Sequence, residues 1–138
     1  MKITEFNPEK DQITFKKYIS ANDFISIVAA TVSPLFLVDN KPANILNKPN
    51  KKEQYYGVYK TIYYTVALIK YLTDIEIDED MDITEAYDLI MSKGIYQMFH
   101  NNIFSELCDD VIILDVQTRE LEETIDSLIS ERLAMMKK

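Results

Sequence analysis

Glycine and proline are scarce, at two and four residues in a chain of 138. A β sandwich or barrel needs turn residues about every 8–12 positions, so this scarcity favours helices. Cysteine is nearly absent. Cys108 alone excludes an internal disulfide framework and fits a reducing compartment. With one histidine beside it, His100, the chain cannot supply the three or four soft ligands of a zinc site. Basic residues are outnumbered, 15 Lys and Arg against 23 Asp and Glu, which leaves a net charge of −8. Nucleic-acid backbones and anionic membranes are bound through Lys and Arg, so direct nucleic-acid or membrane binding is not expected. The longest apolar stretch, Val58 to Leu72, is interrupted by Lys60 and Lys70 and falls short of the about 20 apolar residues of a membrane span. The start, MKITEFNPEKDQITF, is too polar for a secretory signal, and the chain is expected to be cytoplasmic at synthesis. Gly57 and Gly94 stand far apart, so no glycine-rich loop is present to cradle a phosphate.

What remains is an ordinary globular composition, 47% hydrophobic and 28% charged, sized for one domain over 1–138. Residues 1–18 read as an extended arm, with Gln12–Phe15 able to form a short strand or a docking segment. Ser20, three positions before Asp23, is a helix cap; Phe24, Ile27, Val28, Thr31, Val32 and Leu35 then follow helical spacing, and Pro34 ends the run. Asp39 to Asn50, with two Lys-Pro pairs and four Asn, reads as a contact-bearing loop anchored by Ile45 and Leu46. Glu53 to Thr73 reads as a central helix, apolar on most sides and rich in tyrosine. After an acidic turn, Asp74 to Asp82, a helix capped by Asp82 or Thr84 runs to Lys93 and stops at Gly94 in the left-handed position. The last segment, 105–138, reads as one long helix. Leu107, Leu114, Leu121, Leu128 and Met135 recur every seven residues, Val111 and Ile125 fill two of the positions four later, and Thr118 and Arg132 break that second row. That pattern suits a coiled-coil seam or the core face of one amphipathic helix. The predicted fold is all-α, with four to five helices around the central hydrophobic helix and a short N-terminal strand or arm.

Chemistry has few footholds. Asp74, Glu76, Asp78, Asp80, Asp82 and Glu85 match the ligand spacing of a twelve-residue EF-hand loop, but Glu79 stands where that loop needs glycine for its sharp turn, so a solvated acidic turn is the preferred reading. His100 and Cys108 could share a helix face as base and nucleophile, yet nothing marks a third orienting group or an oxyanion site. No catalytic residue, metal or cofactor is expected.

Tyr71-Leu72-Thr73-Asp74-Ile75 and Tyr87-Asp88-Leu89-Ile90-Met91-Ser92-Lys93-Gly94 carry a resemblance. The chain resembles short acidic proteins encoded among the virion genes of tailed phages that infect low-GC Gram-positive bacteria. These have an aromatic-rich segment ending in a Tyr-Thr-Asn-Ile-like run, then a Tyr-Asp-Leu-Leu-x-x-Ser-Gly-like helix end. Asp74 replaces the Asn and Lys93 is inserted before the Gly; the similarity spans Tyr18 to Asn102. It implies a non-enzymatic structural or assembly component of the virion, a head–tail connector or capsid-associated subunit. The implied partners are other phage structural proteins or copies of itself, in the virion and, during assembly, in the host cytoplasm. Tyrosines bring large contact area at low entropy cost. Tyr55, Tyr56, Tyr59, Tyr63, Leu121, Ile125 and Leu128 are therefore the expected interface residues. The alternative is an acidic inhibitor that imitates DNA toward a basic host protein, its acids grouped at Asp74 to Glu85 and Glu120 to Asp126.

Overall fold

A computed structural model describes residues 1–103 and 109–137, of which 102, 103 and 109–112 are described by backbone alone. Leu107 and Cys108 lie outside the described residues, as does the start of the predicted last helix at 105.

The fold corrects the all-α expectation. Among the described residues, five α-helices and two short 3₁₀ turns take up 57% of the chain, joined by a small three-stranded antiparallel sheet, so the fold is mixed and helix-dominated. Helix α1 spans Ala21–Val32, α2 Lys60–Leu72, α3 Ile83–Ser92, α4 Ile95–Ile103 and α5 Asp109–Met136. The strands are β1 Phe36–Val38, β2 Lys41–Pro42 and β3 Gln54–Tyr55, in the order β2-β1-β3. Strands of two or three residues are too short to show an alternating pattern, which is why composition pointed past them. The local cause is at Asp39 and Asn40, whose φ angles are 52° and 64°. Two consecutive left-handed residues make the tight two-residue turn that joins twisted strands, and Asn and Asp tolerate it best after Gly. Pro42 sits on the outer strand, where its missing N–H breaks no ladder.

The sheet also shortens the central helix. Phe36 pairs with Tyr55 and their rings stack at 4.8 Å, which draws the chain at Gln54–Tyr55 into β3. A 3₁₀ turn over Gly57–Tyr59 follows, and α2 begins at Lys60 rather than Glu53. A Cβ on Gly57 would come within 2.5 Å of the Tyr55 hydroxyl, so this glycine lets the Tyr55 ring lie across the backbone.

Helix α1 forms where its cap is: the Ser20 hydroxyl accepts from the Asp23 N–H at 3.1 Å, and Lys16 pairs with the Asp23 carboxylate at 2.6 Å. Its buried stripe, Ile27, Val28, Thr31 and Val32, packs against Val66, Leu68, Ile69 and Leu72 of α2 in one core with α3 and α5. Gly94, at φ 70°, ends the α3 region and lets α4 start at once. The first residues do not form a strand; they make two isolated bridges, Lys2 with Glu76 and Phe15 with Thr73. Ile3, Phe6, Ile13 and Ile19 are buried by this embrace. The Lys93 ammonium secures it, donating to the carbonyls of Ile3 (2.7 Å), Phe6 (2.9 Å) and Thr4 (3.2 Å). Further on, the Gln117 carboxamide exchanges two hydrogen bonds with the backbone of Ile19, at 2.7 and 3.0 Å.

Candidate protein-interaction surface

Helix α5 shows how the surface is built. Its buried positions are Leu114, Thr118, Leu121, Ile125, Ile129 and Arg132, a spacing close to 3.6 residues rather than 3.5. A straight helix drifts about 20° per heptad, so the stripe passes from Leu128 to Ile129 and leaves Met135 exposed. Thr118 stays inside because its hydroxyl donates back to the Leu114 carbonyl at 2.7 Å. The described part of α5 therefore lies on the domain along its length, as a core face. The side chain of Val111, from the same heptad pattern, is outside the described residues.

Arg132 is buried for a different reason. Its guanidinium forms a two-pronged ion pair with Glu53: Nε donates to Oε1, and Nη2 donates to Oε2 at 2.9 Å. Nη1 donates to the Asn47 carbonyl at 3.0 Å, and the guanidinium lies 5.4 Å from the centre of the Phe36 ring. Glu53 also accepts from the Asn50 N–H at 3.1 Å. Both residues are almost fully enclosed, with 4% and 7% of their surface exposed. The loop read as anchored by Ile45 and Leu46 is thus held by a charge pair to α5. Ile45 is half-buried against the core, whereas Leu46 is 90% exposed. The sequence pattern does not show this anchor, because apolar spacing runs a helix through Glu53 and Arg132 falls at a break in the second heptad row.

Fixing the loop creates a groove between α1, residues 44–46 and α5. It encloses about 420 Å³ and is lined by Phe24, Ile25, Val28, Ile45, Leu46 and Leu128. Ile25 on its wall is 66% exposed. A polar cavity of about 300 Å³ adjoins it across Asn44, with Lys41, Lys48, Asn47 and Asn50 around its mouth and the Arg132–Glu53 pair at its wall. The ammonium groups of Lys41, Lys48, Lys51 and Lys52 make no ion pair among the described residues.

The expected interface residues divide. Leu121 and Ile125 are fully buried and belong to the core; Leu128 is half-buried and lines the groove. Tyr55 packs on Phe36, while Tyr56 and Tyr59 remain exposed and Tyr63 is half-buried against Tyr59, ring centres 6.3 Å apart. Val58, 81% exposed, projects beside them. Carboxylates flank this tyrosine face. Burial, then Tyr59 and Asp82, push the Tyr63 hydroxyl above its usual pKa. Tyr64 is pushed higher still, by burial first and then by Glu122, whose carboxylate is within reach of the hydroxyl without closing a hydrogen bond to it. Asp126 of α5 pairs with Lys60 of α2.

The acidic turn does not form an EF-hand loop. Asp74 accepts from the Thr14 N–H at 2.9 Å, Glu76 is held by its bridge to Lys2, and Glu85 already lies in the first turn of α3. Among the described residues no group of three or more His, Cys, Asp or Glu converges as a metal site would, and no helix is long and apolar enough to cross a membrane. His100 is exposed on α4 and stacks on Tyr96 with ring centres 5.9 Å apart.

No protein-family model matches the chain, and neither a curated protein nor a solved structure matches it significantly.

Proposed function

We propose that the chain is a non-enzymatic structural or assembly component of a tailed-phage virion, working through protein–protein contacts at the head–tail connector or the capsid. The observation that carries the binding part is the apolar groove with Ile25 and Leu46 exposed at its edge. Scattered apolar residues are normal on a surface, but an apolar concavity bordered by projecting aliphatic side chains is how partner-binding surfaces are made. The phage origin rests on the resemblance of Tyr71–Ile75 and Tyr87–Gly94.

One observation favours the second reading, an acidic inhibitor of a basic host protein. Asp82 from one acidic cluster and Glu122 and Asp126 from the other flank the same stretch of α2, beside Tyr63 and Tyr64. Carboxylates around aromatic faces suit Arg and Lys side chains.

A pull-down with the tagged chain from phage-infected cells, at low and high salt, separates the two. Capsid or tail proteins retained at high salt support the assembly reading. A basic nucleic-acid-binding protein that is captured at low salt and released at high salt overturns it in favour of the inhibitor.

A further inference from the structure

We infer that the polar cavity under the loop is a binding site for a phosphate-type oxyanion, free or as the phosphate group of a small molecule. The inference goes beyond the assembly reading and does not depend on it. Its ground is the charge and the donors that the cavity collects. Lys41 and Lys48 both line it, and neither ammonium has an ion-pair partner among the described residues. Glu53 alone among the lining residues is a carboxylate, and Arg132 neutralises it in the buried pair. Asp39 and Glu131, close in sequence to those walls, do not line the cavity. A chain of net charge −8 thus holds a concavity with two uncompensated positive charges.

The neutral groups in it are turned the same way. The Asn44 side-chain oxygen accepts from the Leu46 N–H at 3.0 Å, and the Asn50 side-chain oxygen accepts from the Lys52 N–H at 3.0 Å. Those bonds fix which end of each carboxamide is which, so the end left without a partner is the NH₂ donor. The backbone that carries them is already held. Arg132 donates to the Asn47 carbonyl at 3.0 Å, and Glu53 accepts from the Asn50 N–H at 3.1 Å, so little ordering remains for a ligand to impose. The volume, about 300 Å³, is at the small end for a ligand site. Phosphate fits this donor set better than a carboxylate does. A planar carboxylate is best met by the fork of an arginine, and Arg132 has spent its fork on Glu53. Ammonium groups act as point charges and suit a tetrahedral anion that accepts from several directions. Carboxylates farther than about 8 Å away are screened at physiological salt.

The test is a titration of the full chain followed by the ¹H–¹⁵N resonances of 41–53 and of the asparagine side-chain amides. Inorganic phosphate, O-phosphoserine and glutamate are the probes, with ionic strength held constant by chloride. Phosphate is expected to give saturable shifts centred on Asn44 and Asn50, with Kd about 1 mM. Tighter binding of phosphoserine would make a phosphorylated small molecule the source of the group, and equal or weaker binding would make it the free anion. Lys41→Gln and Lys48→Gln should each weaken binding about tenfold, and Lys48→Arg should largely keep it. The double variant Lys51→Gln, Lys52→Gln removes two exposed lysines that do not line the cavity and should change affinity less than twofold. All four lysines are exposed, and circular dichroism checks that each variant keeps its helices. No saturable shift by roughly 20 mM phosphate overturns the inference. So does binding that survives the loss of both Lys41 and Lys48, or that falls as far with Lys51 and Lys52, which would be diffuse attraction to the loop. Glutamate bound as tightly as phosphate overturns the assignment to phosphate.

Discussion

Replacing Arg132 with Met tests the keystone of the loop. The substitution keeps an unbranched side chain of similar length but removes the charge, leaving the Glu53 carboxylate at 7% exposure with the Asn50 N–H, at 3.1 Å, as its remaining donor. The carbonyl of Asn47 loses its donor as well. Stranding one member of a buried ion pair costs about 3–5 kcal/mol, most of it the desolvation of a charge without its partner. Small domains have only about 5–15 kcal/mol of stability, so the loss is a large fraction of the whole. At about 3–4 °C per kcal/mol for a chain of this length, Tm should fall by roughly 10–20 °C. Urea unfolding followed by far-ultraviolet circular dichroism measures the free energy directly. The companion variant Glu53→Leu, Arg132→Met leaves no buried charge and should recover most of the loss. Amide exchange in 39–53 should quicken in the single variant before exchange in α2 does, because the loop is what the pair holds. A loss below about 1 kcal/mol in Arg132→Met, or a double variant as unstable as the two single losses added, would refute this account.

Three further outcomes follow from single side chains. Lys93→Met removes an ammonium that three backbone carbonyls share and should cost about 1–3 kcal/mol. Limited proteolysis should then cut within the first residues while α5 stays protected. Gly94→Ala meets no neighbour within 4 Å, so its cost is the left-handed backbone alone, about 1 kcal/mol, and Gly94→Asn should cost less in the same denaturation assay. The pKa of Tyr64 is raised in the folded chain by burial and by Glu122, so above the ordinary tyrosine value of about 10 the unfolded chain loses this proton while the folded one keeps it. The stabilisation is complete below that pH and drains away as pH rises beyond it. Tyr64→Phe should therefore lose less stability than the parent between neutral and strongly alkaline pH, and an identical pH profile would sink the assignment.

Much of the helical frame could be read from residue order. Ser20 and Pro34 bracket α1, Gly94 separates α3 from α4, and the leucines of the last segment lie on a helix, because caps, breakers and apolar spacing are local properties. The sheet could not be read so easily. Asp39 to Asn50 reads as one loop, but whether its ends pair depends on Phe36 meeting Tyr55 nineteen residues away. That pairing cost α2 its first turns and overturned the all-α expectation.

The candidate surface was legible only in part. Leu128 lines the groove and Tyr56 and Tyr59 are exposed away from it, while Leu121 and Ile125, on the same heptad pattern as Leu128, lie in the core. Periodicity identifies an apolar stripe without saying whether the stripe faces its own domain or another chain. Composition and order thus determined an acidic, helix-rich chain without a disulfide framework, and where most of its helices begin and end. The tertiary structure decided which apolar residues remain outside. It did so by joining Arg132 to Glu53 across 79 positions, a contact whose strength comes from shared burial and is invisible until both residues have a place.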